Sequence, residues 1–585
     1  MVMDDGSFYK HLQAIAAAEI VAVDTETTGF EIKDGRCYAM GLSVAYRMGA
    51  IGVMSAYFPF RHESDNLPWE KTKDLFDVLA DHNLVFHNLK FDLHSLLTMG
   101  FTPRGKLYDT LLIGHMVDEE SYSFSLDALC KRYLDDAKDK DKVSGWTKAF
   151  DWASVPAGLM DAYAAKDAEL TLRLFEVLWP KLQEQGLHNL WPRERRFARL
   201  LTDIEQRGIG VDLDFARRKS SIGYERMQDI EDELGFKPSS PNDLGDFLIE
   251  KLGFPVIKRG KETKKYPEGR PSFDKNVMAK YEEMLEEYVV AHPDGEVDSN
   301  TVRLIMEYRG WQKAVTSLFD TVQEMVSPDG RVRCNFKQHG TKTSRLSCSE
   351  PNLQQVPRKS EKVWNGDAKQ VFCPAEGYEL WGYDYSQLEF RLASAYGQEH
   401  WLIEEFNKIE SDVFSLMAEE LGIPRQDVKQ YVYATLYGAG LGKVARTVGR
   451  TDKEIEPSYN AFKNSISGIG NVSRVATRRA EQKHYVSLWT GRRRHFRFRE
   501  DSYKAFNSIL QGGGAEVVKS AMIEIDDDPR IDKAECRIVL QVHDEIVFEI
   551  KEGCREKYEP LIIEHMRNFP DFGVNFAVEG KLWNK

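Results

Sequence analysis

No two of the seven cysteines form a CxxC pair; they are scattered at positions 37, 130, 334, 348, 373, 536 and 554. That spacing argues against a zinc site, offers no disulfide framework and fits a reducing cytoplasm. No apolar run approaches the ~18 residues that cross a bilayer, which excludes a membrane-spanning helix. The opening residues, MVMDDGSFYKHL, lack both the basic start and the apolar centre of a secretory signal. Internal repeats, low-complexity tracts and heptad arrays are missing too, which removes solenoids and coiled coils.

What is present is length with an ordinary soluble composition. At 585 residues the chain exceeds one hydrophobic core and predicts about two to four domains. With 42% hydrophobic and 29% charged residues it reads as globular. The net charge of −14, taken alone, weighs against a phosphate-rich partner, which needs Lys and Arg. Whole-chain charge says little about one cleft, however. The basic residues are grouped: Arg331, Arg333, Lys337, Lys342 and Arg345 form one cluster. Arg474, Arg478, Arg479, Lys483, Arg492, Arg493, Arg494, Arg497 and Arg499 form another. Two such clusters beside the motifs below point to a phosphate track.

EIVAVD at 19–24 reads as a buried strand that TTGF then turns. Further strands are expected at 39–46, 51–58 and 84–88, the last followed by the helical pattern LKFDLHSLLTMG. Helical periodicity dominates from about 106 to 207. This order predicts an α/β domain of about 190 residues, and the two glycines of QRGIGVD at 206–212 open a new unit. A charged, mostly helical stretch from 213 to 325 is interrupted by the Lys- and Gly-rich IKRGKETKKYPEGRP, expected to be a mobile loop. Strand signals return at 331–336 and 378–385, helices fill 402–485, and RIVLQVHDEIVFEI at 537–550 reads as two strands turning at His543-Asp544.

Asp24 and Glu26, two apart on the first strand, share one face by its period of two. Asp92 stands at a helix start, and Tyr163 and Asp167 are four apart on a helix, hence on one face. Four converging carboxylates repel unless cations lie between them. Hard divalent ions with oxygen ligands suit such a site, and two of them can drive phosphodiester hydrolysis. A DxE pair alone is a weak signal. The strings VAVDTETTGF, HNLKFD and YAAKD in this order are far more specific, and they resemble the three motifs of DEDD exonucleases in their tyrosine-containing branch. The resemblance implies that Asp24, Glu26, Asp92 and Asp167 are metal ligands and that Tyr163 orients the attacking water. No acid is missing, so an active exonuclease is expected.

A second pair of acids lies far apart in sequence. Asp384 ends a strand in YELWGYDYSQLEFRLAS, and Asp544 and Glu545 sit at the hairpin tip in LQVHDEIVFE. Such a pair could share two Mg²⁺ ions, activate a primer 3′-hydroxyl and neutralise a triphosphate. Standing alone, HDE in a turn reads more simply as a capped hairpin. Between these segments, Arg425, Lys429, Tyr433 and Tyr437 recur every four residues and drift only about 40° per step on a helix. Two cations followed by two aromatics suit a triphosphate with a base stacked beyond it.

Together these segments resemble family A DNA polymerases along nearly the whole chain. TKTSRLSCSEPNLQQVP is similar to the primer–template segment, DYSQLEFR to motif A, the 425–438 helix to motif B and QVHDE to motif C; KAFNSILQGGGAEVVK and the C-terminal EGKLW also fit. The resemblance implies an α/β and α+β multidomain fold. A ribonuclease H-like 3′-5′ exonuclease domain (1–190) precedes a right-hand polymerase domain (191–585). Within the latter, the thumb is expected at about 213–325, the palm at 331–405 and 515–585, and the fingers at 406–514. Asp384, Tyr385 and Asp544 are expected at the catalytic metals, with Glu545 beside them. Arg425 and Lys429 would hold the triphosphate, Tyr433 would pack on its sugar and base, and Tyr437 would mark the template-side end of the helix. His543 joins the nucleotide-binding set. Glu389 would lie under the sugar 2′ position and exclude ribose. Arg345, Asn507 and Gln511 would probe the minor groove, which presents acceptors in every Watson–Crick pair, and Asn352 and Gln354 are further expected DNA contacts.

Two departures stand out: serine at 344, where the family often has glycine, and phenylalanine at 414, where histidine is frequent. The chain starts almost at the exonuclease strand, leaving no room for a 5′-nuclease domain, and so the expectation is a phage-type replicase working in the host cytoplasm. Two Mg²⁺ ions per site, with Mn²⁺ as a substitute, are the expected cofactors. Primer–template DNA and dNTPs are the expected partners of a monomer; a helicase or single-stranded DNA-binding protein is compatible with that role. A single-subunit RNA polymerase is disfavoured by Glu389 and the exonuclease motifs, and a non-catalytic scaffold by the full set of acids. A nuclease with an inert polymerase half is left to primer extension.

Overall fold

The computed structural model describes residues 3–136, 152–293, 297–356, 368–408, 412–568 and 572–584. Residues 137–151 of the expected helical stretch, and Pro357 at the end of the primer–template string, lie outside the described residues. By contact the chain divides into two compact units: Met1–Gly208 with Asn335–Ser349 and Trp381–Lys581, and Ile209–Cys334 with Glu350–Leu380 and Leu582–Lys585.

The first unit begins with α1 (Asp5–Ala16) and a five-stranded sheet. Its strands are β1 (Ile20–Thr27), β2 (Ala39–Met48), β3 (Gly52–Pro59), β4 (Asn83–Phe86) and β5 (Leu107–Asp109), in the order β3-β2-β1-β4-β5. β1 pairs antiparallel with β2 and parallel with β4, so the sheet is mixed. The β-branched IVAVDTET of β1 buries five of its eight residues and leaves none exposed, as suits a central strand. Helices α2 (Lys71–Leu79), α3 (Leu89–Thr98), α4 (Thr110–Val117), α5 (Leu126–Tyr133), the long α6 (Ala157–Glu184) and α7 (Trp191–Arg207) follow. Val21, Val23, Leu42, Val44, Leu84 and Phe86 form the centre of the core.

In the second unit β6 (Ile209–Val211) pairs with β7 (Arg331–Val332), and helices α8 (Leu213–Leu234), α9 (Lys275–Ala291) and α10 (Thr301–Ala314) lie between them in sequence. Leu244, Leu248, Phe254, Val277, Tyr281 and Ile305 form a separate small core. The Lys-rich stretch expected to be mobile is joined at its base. Arg259 bridges Pro271, the Gly260 N–H donates to Arg270 O at 2.8 Å, and Lys258 pairs with Asp274 at 2.6 Å. Backbone pairing across the loop, invisible to composition, closes it.

The chain then re-enters the first unit as the ribbon β8 (Asn335–Lys337) and β9 (Ser347–Ser349). Beyond β10 (Phe372–Cys373), which pairs with β6, comes β11 (Tyr378–Tyr385). Helices α11 (Leu388–Gly397), α12 (His400–Phe406), α13 (Val413–Leu421), α14 (Arg425–Leu436), α15 (Leu441–Val448), α16 (Asp452–Ser465) and α17 (Ser467–Lys483) fill the expected helical region. A hairpin, β12 (Tyr485–Ser487) and β13 (Arg493–His495), leads to α18 (Ala505–Asp527). The strands β14 (Cys536–Val542) and β15 (Glu545–Lys551), then α19 (Arg555–Arg567) and β16 (Val578–Leu582), complete a four-stranded sheet in the order β14-β15-β11-β16.

Candidate active sites

Asp24 and Glu26 project from β1, and Asp167 from the middle of α6. The ligand atoms of these three acids all lie within 4.8 Å of one another. Glu26 and Asp167 are buried and Asp24 is half-buried. Asp92, on the first turn of α3, stands beside this trio rather than in it: its Oδ1 accepts from the Thr25 N–H at 3.0 Å and the Thr25 hydroxyl at 2.7 Å. Burial first, and the charge of Asp24 second, push its carboxyl well above the ordinary range. Tyr163 lies one turn before Asp167, tilted against Trp152 at 6.2 Å.

Two features that sequence reading passed over place Asp92. Asn88, at the start of α3, has φ 78°, a left-handed conformation that asparagine tolerates. The buried Asp109 at the end of β5 holds that turn, accepting from the Asn88, Leu89 and Leu111 N–H groups at 2.9–3.0 Å. Burial raises its pKa to about 6 against these donors. Lys90 reaches the other way, to Glu205 and Phe336 O, while His94 meets Glu205 at 2.9 Å. Phe30, 83% exposed and edge-on to Phe91 at 6.2 Å, was not singled out either; it follows directly on the TTG of the first motif.

The second centre lies where β11 ends beside the β14–β15 hairpin, the Tyr385 N–H donating to Asp544 O at 3.3 Å. His543 turns this hairpin with φ 58°, and its carbonyl accepts from Gln541 Nε2. The tight turn expected at His543-Asp544 is therefore present. Burial, then the charges of Glu545 and Asp544, push Asp384 up to about 6, with Lys581 opposing. Burial also raises Asp544, although Arg345 pulls it back. Glu545 lies 3.8 Å from Lys581. Lys581 and Glu579, both on β16, thus act on this centre, although EGKLW had registered only as a family match. The Tyr385 side chain points away, donating to Met566 O at 2.7 Å.

Glu389, buried on the first turn of α11, ties three elements together. It accepts from Arg345 at 2.5 Å and from the Tyr437 hydroxyl at 3.0 Å, while Arg345 also reaches Asp544 at 3.8 Å. Burial, then Glu389, raises the Tyr437 phenol. Tyr433 lies one turn back at 6.3 Å between ring centres. Arg425 pairs with Asp412 at 2.8 Å, holding that acid at about 2, and Lys429 is exposed. Phe414 stacks on Phe390 at 5.9 Å, tilts against Tyr433 at 6.4 Å and meets the Arg425 guanidinium at 5.6 Å. Phe414 therefore packs its ring against Tyr433 and Arg425 of α14. Ser344 has φ 63°, which explains why glycine suits that position.

Arg391, another residue that sequence reading left unassigned, is buried beneath motif A. It donates to Ser386 O at 2.9 Å, Phe406 O at 3.1 Å and Asn575 O at 2.6 Å. Asn507 and Gln511 lie half-buried one turn apart on α18, sharing a face as their spacing requires. Asn352 and Gln354 belong to the second unit, where the Asn352 side chain accepts from the Gln354 N–H at 3.2 Å.

The expected phosphate track needs correction. Arg492 is buried between Glu194 at 2.5 Å and Glu516 at 3.0 Å, and Arg494 between Glu119 at 3.1 Å and Glu120 at 2.6 Å. Lys342 pairs with Glu120, Arg497 with Asp118 and Arg333 with Asp329. Protein carboxylates therefore neutralise much of both clusters. Asp329 lies four residues from Arg333, but the other acids lie up to several hundred residues away in sequence, where a local charge count cannot see them.

Comparison with known proteins follows the same division. Residues 215–584 match the family described as DNA polymerase family A, and residues 1–183 match a 3′-5′ exonuclease family. The chain belongs to DNA polymerase family A and carries a 3′-5′ exonuclease domain. It is 28% identical to DNA polymerase I of Pseudomonas aeruginosa, covering 100% of this chain and 66% of that protein. It is also 28% identical to DNA polymerase I of Rhizobium leguminosarum, covering 94% of this chain and 57% of that protein. The chain thus spans roughly three-fifths of the length of these curated relatives. Both are bacterial, and they lend no support to the expected phage-type role. A solved structure described as the POL domain of Pol1 from M. smegmatis in complex with DNA primer-template and dNTP superposes with a TM-score of 0.81. Its sequence identity is 26%, over 100% of this chain and 99% of that one.

Proposed function

We propose that this chain extends a DNA primer along a template at the Asp384–Asp544 centre and removes 3′-terminal nucleotides at the Asp24–Glu26–Asp167 centre. The observation that carries the reading is the convergence of three acids from β1 and α6 within 4.8 Å, in a chain whose second acidic centre neighbours the Arg345–Glu389–Tyr437 assembly. The M. smegmatis structure, described as a complex with DNA primer-template and dNTP, supports the same substrates here. In this reading the exonuclease domain is 1–190 and the polymerase domain 191–585, with thumb, palm and fingers as expected from the sequence.

The donor sets are oxygen-only and fit hard divalent ions such as Mg²⁺, with Mn²⁺ as a substitute. Asp24, Glu26, Asp92 and Asp167 would hold them at one centre, and Asp384 and Asp544, with Tyr385 adjacent, at the other. When bound, two such ions supply Lewis-acid activation and charge neutralisation at a phosphate. The chain's own groups do the rest. Tyr163 orients the hydrolytic water, and the exposed Phe30 ring offers a stacking face to an unpaired base. Arg425 and Lys429 bind the triphosphate, which displaces Asp412 from Arg425. Tyr433 packs on the nucleotide. Glu389, braced by Arg345 and Tyr437, occupies the space of a ribose 2′-hydroxyl and so selects deoxynucleotides. Arg345, Asn507 and Gln511 read minor-groove acceptors.

Primer extension on a long template with dNTPs and Mg²⁺ tests both halves. Asp544→Ala should abolish extension and keep degradation, whereas Asp24→Ala/Glu26→Ala should do the reverse. Loss of both activities in either variant would refute two separate sites.

A further inference from the structure

Tyr57, on β3, is fully buried yet polar at its tip. Its hydroxyl meets His62 Nε2 at 2.7 Å, and His62 Nδ1 meets the Val155 carbonyl at 2.9 Å. Neutral imidazole satisfies both bonds at once, accepting at one nitrogen and donating at the other. The loop bearing His62 is clamped by Asn66, which accepts from the His62 N–H and donates to the His62 carbonyl, each at 2.6 Å. Val155 lies two residues before α6, whose first turns carry Met160, Tyr163 and Ala164. Tyr57, Val155, Met160 and Ala164 share a small core of their own, with Trp152 and Tyr163 packed against it.

Strand register brings the pair to the acids. Asp24 lies opposite Ser43, and Ser43 opposite Tyr57, so the three side chains leave the same face of the sheet. Glu26 lies opposite Gly41, and a Cβ there would come within 2.4 Å of the Tyr57 hydroxyl oxygen. The missing side chain at Gly41 is therefore the space that the phenol fills. Burial first, then the charges of Glu26 and Asp24, raise the phenol's pKa well above its usual value and keep it neutral. Tyr57 also borders a cavity of about 230 Å³, lined by His11, Ser55, Asp65 and Asp161 among others. The hydrogen bond to His62 fixes the hydroxyl in that space.

We propose that Tyr57 and His62 are a positioning pair for the exonuclease centre, setting the first turns of α6 and through them the placement of Tyr163 and Asp167 over Asp24 and Glu26. The inference rests on the exonuclease reading given above. The role assigned to both residues is exerted through α6. The chain Asp24–β1–β2–β3–Tyr57–His62–Val155–α6 fixes two walls of one site relative to each other, and sub-ångström errors there are costly because hydrolysis needs aligned groups.

Single-turnover and steady-state degradation of a single-stranded oligonucleotide with Mg²⁺ tests this, alongside primer extension by the same preparations. Wild type should degrade the oligonucleotide and Asp24→Ala should not; if wild type does not, the exonuclease reading itself fails. Given that activity, Tyr57→Phe should lower kcat by about 10- to 100-fold, with KM within about twofold and extension unchanged. His62→Leu should behave alike. His62→Gln, whose amide can both accept from Tyr57 and donate to Val155, should recover most of kcat. Wild-type kcat in Tyr57→Phe would overturn the proposal while leaving the exonuclease reading intact. So would a His62→Gln variant no better than His62→Leu, or losses that appear in KM and thermal stability rather than kcat.

Discussion

Replacing Asp384 by asparagine should stabilise the metal-free protein while destroying its polymerase activity. In the fold Asp384 is half-buried and faces Glu545 and Asp544, which lifts its carboxyl from 3.8 to about 6. A folded-state value above the unfolded one means that ionising the group works against folding. The cost is fully present above about pH 6 and gone below about pH 4, where the acid is protonated in both states. Taken at face value it is about 3 kcal/mol; solvent around the partly exposed group screens it to about 1–2 kcal/mol. The amide keeps the shape of the carboxylate and removes its charge. Thermal melts in chelator at pH 8 should therefore show the unit that contains the site melting about 1–2 °C higher in Asp384→Asn than in wild type. That advantage should shrink steadily on acidification and vanish near pH 4. Added Mg²⁺ should raise the wild-type melting temperature more than that of the variant, since only wild type presents the full acidic set. A variant that melts at or below wild type at pH 8, or a difference that does not depend on pH, would refute the electrostatic account.

Three further outcomes follow. Glu205→Gln should cost about 3–5 kcal/mol by stripping the buried Lys90 of its counter-charge, read as a lower denaturation midpoint. Although burial opposes it, Lys90, Lys33 and His94 hold Glu205 well below the usual carboxylate range, so the gap between the two proteins should persist above about pH 4.5 and close as pH falls further. Tyr433→Phe should strengthen discrimination against dideoxynucleotides by about tenfold, through loss of one hydroxyl hydrogen bond; equal incorporation ratios in the two enzymes would dismiss the role of the phenol. Glu389→Ala should raise ribonucleotide incorporation by about tenfold or more and slow extension, because Arg345 and Tyr437 lose their common acceptor. Competition between rUTP and dTTP on a poly(dA) template measures the first effect, and an unchanged ratio would remove Glu389 from sugar selection.

Much of the architecture was legible in the chain. β1 to β4, β11, the helical run after residue 402 and the His543-Asp544 hairpin follow directly from periodicity and turn chemistry, because each is a local pattern of burial. Asp24, Glu26 and Asp167 were legible for the same reason: spacing of two on a strand and four on a helix puts side chains on known faces. Asp109, Arg391, Lys581 and the Tyr57–His62 pair were not. Each acts through a partner distant in sequence, and nothing in its neighbours along the chain marks it out.

The amino-acid sequence by itself determined the family of this protein and that Asp24, Glu26 and Asp167 can share one face of the fold, since those depend on residue types at fixed local spacing. Tertiary structure alone decided how the charges are spent. It drew Arg492, Arg494 and Lys342 out of the expected phosphate track and into pairs with Glu194, Glu119 and Glu120. It also set Asp92 on Thr25 and joined Glu389 to Arg345 and Tyr437. Electrostatic energy depends on distance and burial in space, and a linear chain specifies neither until it has folded.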